Sequence, residues 1–139
     1  DDRFIREMNT YLKDHGLIRF ETTSKGTFAR LTQKGKDKLR KFELLGYKLE
    51  KPRKWDKKWR MLIFDIKEER KRTRDKIRFT LKRIGFLRLQ DSVWVYPYDC
   101  EDFVTLMKAD FKIGRDLLYL IVDTIEEDIK IRKYFELSN

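Results

Sequence analysis

The chain has 139 residues, 40% of them hydrophobic and 14% aromatic, so it can bury one ordinary core or two small ones. Charged residues make up 42% of it, and the formal net charge of +10 favours a polyanion, nucleic acid above all, as the partner. No apolar run is long enough to span a membrane, the start is unlike a secretory signal, and the single cysteine, Cys100, excludes an internal disulfide. We therefore expect a cytoplasmic protein that does not contact a membrane.

The positive charge is unevenly distributed along the chain. Residues 1–59 carry 17 lysines and arginines against 9 acidic residues, a net charge of +8. Residues 67–88 carry 10 against 3, a net charge of +7, whereas residues 89–139 carry 6 against 11, a net charge of −5. This asymmetry favours one surface that faces nucleic acid, and the alternative is a lysine-rich surface that only keeps the protein soluble.

The first 46 residues predict a helix, a hairpin and a second helix. Apolar residues recur at helical spacing over residues 3–14, and Gly16 is placed to end that helix in the left-handed conformation. Residues 17–21 and 28–31 read as two short strands around a turn at 23–26. Thr32 is a natural N-cap for a following helix that Gly46 would end.

This order resembles the second half of a winged helix-turn-helix domain, in which the helix before the hairpin lies in the major groove and the hairpin is the wing. Such domains normally carry one or two helices ahead of that recognition helix, and the sequence begins at Asp1. The resemblance implies groove-facing side chains on the polar face of the first helix and phosphate contacts from the wing. The expected nucleic-acid-binding residues in this half are Arg3, Arg6, Asn9, Lys13, Lys25 and Arg30.

A basic segment with Pro52 follows, and we predict a linker over residues 47–58. From there the patterns predict a strand over 60–66, a helix over about 70–84, a strand or bent strand pair over 86–98, a helix over about 100–112, a strand over 116–123 and a short last helix over 127–136. Strand–helix–strand–strand–helix–strand is the ferredoxin-like, split βαβ order. The predicted fold class is α+β, with a partial winged helix over 1–46 and a ferredoxin-like domain over 59–139.

Three segments of the second half carry a more specific resemblance. They are Trp55-Asp56-x-x-Trp59-Arg60, the strand ending Phe64-Asp65-Ile66, and Gly85-Phe86-x-Arg88-Leu89-Gln90-x-Ser92-Val93-Trp94-Val95-x-Pro97. They resemble the central domain of the PaaX-like repressor family, which is similar to the ferredoxin-like CRISPR-associated protein 2 family. The resemblance implies a dimeric DNA-binding regulator, and full-length repressors of the family carry a further C-terminal region.

The CRISPR-associated family also implies a second set of expectations. There, an acid at the end of the first strand is held responsible for metal-dependent phosphodiester cleavage, and Asp65 matches that position. Mg²⁺ prefers oxygen ligands and can be held by one or two carboxylates plus a substrate phosphate, so Asp65 is the candidate catalytic and magnesium-binding residue. One acid per chain would need a second from a homodimer. The alternative is a strand-end carboxylate paired with a nearby base.

The helix after this strand carries the other candidate nucleic-acid contacts, namely Arg70, Arg72, Arg74 and Arg78. The leading interpretation is a regulator that binds double-stranded DNA as a homodimer. The first alternative is a CRISPR-adaptation subunit that works with an integrase, or a magnesium-dependent endonuclease. The second is a dimerising adaptor without DNA binding.

Overall fold

The structure is a computed structural model that describes residues 12–45, 52 and 54–137. Contacts divide the chain into two compact units. The first takes in residues up to Leu44 together with Cys100–Arg115, and the second takes in Leu45–Asp99 together with Asp116 onward. The helix of residues 101–111, predicted from the sequence as part of the ferredoxin-like domain, thus groups by contacts with the N-terminal hairpin.

The first unit is built on a two-stranded antiparallel hairpin. Strands β1 (Ile18–Thr23) and β2 (Gly26–Leu31) pair from Ile18 with Leu31 to Thr23 with Gly26, around the turn Ser24-Lys25. Residues 12–14 are helical ahead of the hairpin, and Gly16 at φ +75° ends that turn as predicted. The first eleven residues, and with them most of the predicted helix over 3–14, lie outside the described residues.

Helix α1 (Gln33–Leu45) begins at the predicted cap. The backbone N–H of Gly35 donates to Thr32 Oγ1 over 3.0 Å, which satisfies one of the unpaired donors of the first turn. A Cβ added to Gly35 would lie 2.0 Å from the carbonyl oxygen of Leu17, so only glycine allows α1 to approach this backbone. Gly46, the predicted end of the helix, lies outside the described residues.

The second unit contains one four-stranded antiparallel sheet. Its strands are β3 (Trp59–Phe64), β4 (Leu87–Gln90), β5 (Val93–Tyr96) and β6 (Leu117–Val122), in the spatial order β4-β5-β3-β6. In the chain order of this domain that is 2-3-1-4, the arrangement of a ferredoxin-like sheet. The α+β class and the predicted element order are therefore confirmed.

Three further helices complete the order of elements. Helix α2 (Lys71–Ile84) follows β3, helix α3 (Glu101–Phe111) connects β5 to β6, and α4 (Ile129–Tyr134) follows β6. Helix α2 ends at Gly85, which adopts φ +115° and donates its N–H to the carbonyl of Leu81. No helix of the described ranges is long and apolar enough to cross a membrane.

The two faces of the sheet differ in how completely they are covered. On one face, an apolar cluster joins Trp59 and Val95 to Trp55 before the sheet and to Ile131 of α4. Further along the same face the side chains are less covered, and Leu118 is 55% exposed. On the opposite face, Leu62 and Phe64 are buried.

A buried cation fixes the entry to the sheet. Arg60 is only 7% exposed, and its guanidinium donates to both carboxylate oxygens of Asp56, over 2.8 and 2.6 Å. It also donates to the carbonyls of Lys58 and Pro97, over 3.1 and 3.0 Å. The indole N–H of Trp55 donates to the same Lys58 carbonyl over 2.9 Å, so the Trp-Asp-x-x-Trp-Arg segment is held by its own side chains.

Candidate nucleic-acid interface

Asp65 lies one residue beyond the end of β3, which stops two residues earlier than predicted. The last paired residue of β3, Phe64, lies opposite Leu117, the first residue of β6, and Asp116 before it belongs to a 3-10 turn. The backbone N–H of Asp65 donates to the carbonyl of Asp116 over 2.9 Å. Its side chain is exposed and forms no hydrogen bond or ion pair with the part of the chain that the structure describes.

The donor set around Asp65 does not by itself form a metal site. Within residues 12–45, 52 and 54–137, no three histidine, cysteine, aspartate or glutamate side chains are grouped so that they could hold a metal ion. A magnesium ion could take one carboxylate from this chain, with its other ligands drawn from water, phosphate or a second copy. Within these described residues, fewer than three such side chains are available to any one metal ion, so a metal ion at Asp65 would need further ligands from elsewhere.

Helix α2 carries two kinds of arginine, and the first kind is paired with acids. Arg74 Nη1 lies 3.4 Å from Glu68 Oε2, and Arg78 Nη1 lies 4.0 Å from Asp75 Oδ1. The Nε atoms of both arginines are buried without a hydrogen-bond partner in the described structure. These two predicted contacts thus already have acidic partners within the described chain.

The β4–β5 turn strengthens this pairing. Arg78 Nη2 donates to the carbonyl of Asp91 over 3.4 Å, and Arg88 Nη2 donates to the same carbonyl over 3.1 Å. Arg88 also pairs with the carboxylate of Asp91 over 3.2 Å, and its guanidinium lies 5.9 Å from the ring centre of Trp94. The turn residue Asp91 therefore holds two arginines that the sequence places on different elements.

The second kind of cation on α2 is exposed and unpaired. Arg72, Lys76 and Lys82 are all exposed, and none has an acidic partner among the described residues. Between them on the helix surface lies Phe79, whose side chain is 66% exposed. Arg70 differs, because it is half-buried in the 3-10 turn Glu68–Arg70 before the helix. Of the four predicted contacts on this segment, only Arg72 presents an exposed charge without a described partner.

Of the two predicted nucleic-acid contacts on the hairpin, one is exposed and the other is paired with an acid. Lys25 is exposed in the turn, where its backbone N–H donates to Thr23 Oγ1 over 3.2 Å. Arg30 pairs with Glu21 across the strands over 3.1 Å, and its guanidinium lies 5.3 Å from the ring centre of Phe28. Lys13 is exposed, with its ammonium 5.7 Å from the ring centre of Phe20. Lys25 and Lys13 are the accessible charges here.

The predicted groove-reading residues Arg3, Arg6 and Asn9 lie outside the described residues. Their roles stay predictions, and so do those of the hairpin and α2 cations.

Two features of the site are not predicted by the sequence analysis. One is the exposed ring of Phe79. The sequence does carry a signal for it, because Phe79 is seven residues after Arg72, three after Lys76 and four before Arg83, which places the four on one helical face. The other is the Asp56–Arg60 pair, in which the hydrogen bonds from Arg60 hold the pKa of Asp56 below its usual value. The i, i+4 spacing of these two residues carries no such signal, because they lie outside a helix.

Comparison with known proteins agrees with the fold. No curated protein matches the chain. Residues 52–132 match the family described as the PaaX protein central Cas2-like domain, which accounts for more than half of the chain and includes the whole four-stranded sheet and α2. The resemblance seen in the Trp-Asp-x-x-Trp-Arg segment and the β4–β5 region is thereby confirmed, and the chain belongs to the PaaX family through this central Cas2-like domain.

Proposed function

We propose that this protein is a DNA-binding transcriptional regulator of the PaaX type, which binds duplex DNA as a homodimer. The observation that carries the proposal is the match of residues 52–132 to the PaaX central domain. The helix–hairpin–helix order ahead of that domain supports it, since such an order resembles part of a winged helix. The net charge of +8 on residues 1–59 favours a nucleic-acid partner for this half of the chain.

The charges on the described surface support the same proposal. Arg72, Lys76 and Lys82 on α2 and Lys25 on the hairpin are exposed, without acidic partners in the described ranges. Each such cation that contacts a phosphate releases condensed counterions, so it contributes affinity for any DNA sequence. Sequence preference is then the task of Arg6 and Asn9 on the predicted recognition helix.

The sheet offers a surface for dimerisation. Met61 and Ile63 of β3 lie directly opposite Leu120 and Leu118 of β6, and residues opposite each other share a face. All four are aliphatic, none is fully buried, and Leu118 is the most exposed. A charge-free apolar patch can pack on its own copy about a two-fold axis, which would present two DNA-binding halves to a pseudo-palindromic site.

The test is to measure binding of the full chain to duplex DNA, together with the variants Arg6→Ala and Asn9→Ala. The proposal predicts that wild type prefers some sequences and that these variants relax the preference while general affinity for DNA persists. Equal binding to all sequences by wild type would contradict it. Lys36→Ala, in which the replaced side chain is exposed on α1, is the control for a charge change unconnected with the recognition helix.

One observation favours a second candidate, a metal-dependent endonuclease or CRISPR-adaptation subunit. Asp65 is exposed at the end of the first strand of the sheet, without a described partner for its carboxylate, so it is available to a metal ion shared with a second copy. Cleavage of duplex DNA that requires Mg²⁺ or Mn²⁺ and is lost in Asp65→Ala would establish this candidate. Uncut DNA with both wild type and variant would remove it.

A further inference from the structure

The exposed ring of Phe79 is the most unusual feature of α2. It lies in the middle of the helix, and 66% of its surface is accessible. Single exposed apolar side chains are common in soluble proteins, so the ring alone indicates nothing. Its surroundings are what distinguish it.

Phe79 belongs to a stripe of otherwise cationic residues. Residues three, four and seven apart lie on one face of a helix, and this spacing aligns Arg72, Lys76, Phe79 and Arg83, which we call the α2 stripe. At 1.5 Å per residue the stripe is about 16 Å long. Lys82 lies beside it and is also exposed.

Three exposed cations on or beside the α2 stripe differ in their pairing from the arginines on the inner flank of the helix. Arg72, Lys76 and Lys82 have no acidic partner in the described structure. Arg74 and Arg78 on the inner flank each have one. Asp75 is three residues from Arg72 and four from Phe79, so it lies beside the stripe, and its ion-pair partner is Arg78 at 4.0 Å. The three cations Arg72, Lys76 and Lys82 outnumber this one acid around Phe79, so the potential at the ring is positive and attracts a polyanion.

From this arrangement we infer that the α2 stripe binds nucleic acid in which at least one base is unstacked, with the ring of Phe79 stacking on that base. Arg72 and Lys76 on one side of the ring and Lys82 on the other contact the flanking phosphates. Cations alone would suffice for phosphates or for an acidic peptide, and an apolar ring adds nothing to either. An aromatic ring between cations is the combination that binds single-stranded nucleic acid, because every base offers a π-face. This inference rests on the proposed DNA-binding function and adds to the duplex phosphate contacts of the α2 cations a second form of nucleic acid, one with an unstacked base, which Phe79 selects.

The test compares two labelled probes by fluorescence anisotropy at one fixed salt concentration, a short oligo(dT) and a blunt duplex of mixed sequence. The full chain is used as wild type, Phe79→Leu and Phe79→Tyr. Since stacking contributes about 1–3 kcal/mol per base, Phe79→Leu is expected to weaken oligo(dT) binding roughly tenfold. Phe79→Tyr keeps the stacking surface and should bind as wild type does. Duplex binding should change less than about twofold, because duplex bases are already stacked.

A matched control removes a different exposed ring. Tyr134 on α4 is also largely exposed, and Tyr134→Ala should leave both affinities unchanged. Equal losses of oligo(dT) and duplex affinity in Phe79→Leu would overturn the inference, because they would indicate a wedge into duplex DNA or an altered helix. Unchanged oligo(dT) binding in Phe79→Leu would overturn it as well. A competition with poly-glutamate gives a further outcome. If poly-glutamate displaces oligo(dT) equally well from wild type and from Phe79→Leu, the ring does not favour nucleic acid over an acidic peptide, and the inference is overturned.

The failure of this inference can be told apart from failure of the regulator proposal. If wild type shows sequence preference on duplex DNA while Phe79→Leu binds oligo(dT) normally, only the inference is wrong. If Phe79→Leu loses oligo(dT) binding while wild type shows no sequence preference, the inference holds and the regulator proposal is wrong. If wild type binds neither probe, both are wrong.

Discussion

Asp56 and Arg60 form a two-point ion pair at the entry to the sheet, with Oδ1–Nη1 and Oδ2–Nη2 distances of 2.8 and 2.6 Å. The arginine is buried, whereas about half of the aspartate side chain is exposed. Two backbone carbonyls accept the other hydrogen bonds of the guanidinium. The pair thus ties the segment before β3 to the far end of β5.

Replacing Asp56 by Asn should destabilise the fold, because a buried guanidinium would lose its carboxylate. We expect a decrease in the free energy of unfolding of about 1–3 kcal/mol, measured by urea denaturation. Glu21→Gln is the matched control, since it breaks the more exposed Glu21–Arg30 pair on the hairpin and should cost less than about 1 kcal/mol. Equal effects of the two substitutions would contradict a structural role for the Asp56–Arg60 pair.

The same pair predicts a pH dependence of stability. Hydrogen bonding from Arg60 lowers the pKa of Asp56 below its ordinary value of 3.8. A carboxyl whose pKa is lowered by folding stabilises the native state above its unfolded pKa, and that contribution is lost as the pH falls through the folded pKa. The stability difference between wild type and Asp56→Asn should therefore stay constant from pH 7 down to about 5 and shrink below about pH 4. If the stability difference between wild type and Asp56→Asn instead grows on acidification, folding does not lower the pKa of Asp56.

Gly35→Ala should destabilise the first unit. The added Cβ would meet the backbone carbonyl of Leu17 at 2.0 Å, and a backbone atom cannot turn aside as a side chain can. We expect a loss of about 1–3 kcal/mol in unfolding experiments. Lys36→Ala, at the next position on α1, changes an exposed side chain and should be nearly neutral. If Gly35→Ala and Lys36→Ala are equally stable, α1 does not approach the backbone of Leu17 as closely as the structure indicates.

The α2 cations should differ in their contribution to DNA binding. Each phosphate contact adds about 0.9 to the slope of log affinity against log salt concentration for duplex DNA. Arg72→Gln with Lys76→Gln should therefore lower that slope by about 2, because both residues are exposed without described acidic partners. Arg74→Gln with Arg78→Gln removes the same charge from ion pairs and should lower it less. If the two double variants behave alike, pairing in the folded protein does not decide which cations reach DNA.

The sheet surface should control self-association. Leu118→Lys places a charge in the aliphatic patch of β3 and β6 and is expected to convert a dimer into a monomer, as measured by sedimentation equilibrium. Ile121→Lys is the control, because Ile121 is on the same strand and is 44% exposed, but it lies on the opposite face. A monomeric wild type would contradict dimerisation, and a shift caused only by Ile121→Lys would assign it to the other face.

Much of this fold can be predicted from residue patterns. The continuous apolar strand before Asp65 and the alternation around Val93–Tyr96 predict the strand order, because their lengths and periods exclude helices. Thr32 and Gly16 predict the ends of their elements by backbone chemistry alone. The sheet face that carries Met61 and Ile63 is incompletely covered, and this is harder to predict. An unbroken apolar run does not show which face of a strand is exposed to solvent.

The sequence predicts less well which cations of the candidate nucleic-acid interface are unpaired, because their pairing depends on the tertiary structure. Eight cations of α2 and the turn before it look alike in sequence, and only the position of Glu68, Asp75 and Asp91 in space separates paired from unpaired ones. Asp91 is distant in the chain and is brought to Arg78 by the β4–β5 turn. A helical wheel would have shown Phe79 on the exposed stripe, but the compensation of its neighbours requires the tertiary structure.

Selection of duplexes from a random library by the full chain, followed by affinity measurement at fixed salt, tests the central claim most directly. The regulator proposal predicts an enriched pseudo-palindromic sequence that binds about a hundredfold or more tighter than a shuffled duplex and stays uncut with Mg²⁺. No enriched sequence, with equal affinity for selected and shuffled duplexes, would contradict sequence-specific regulation by this chain.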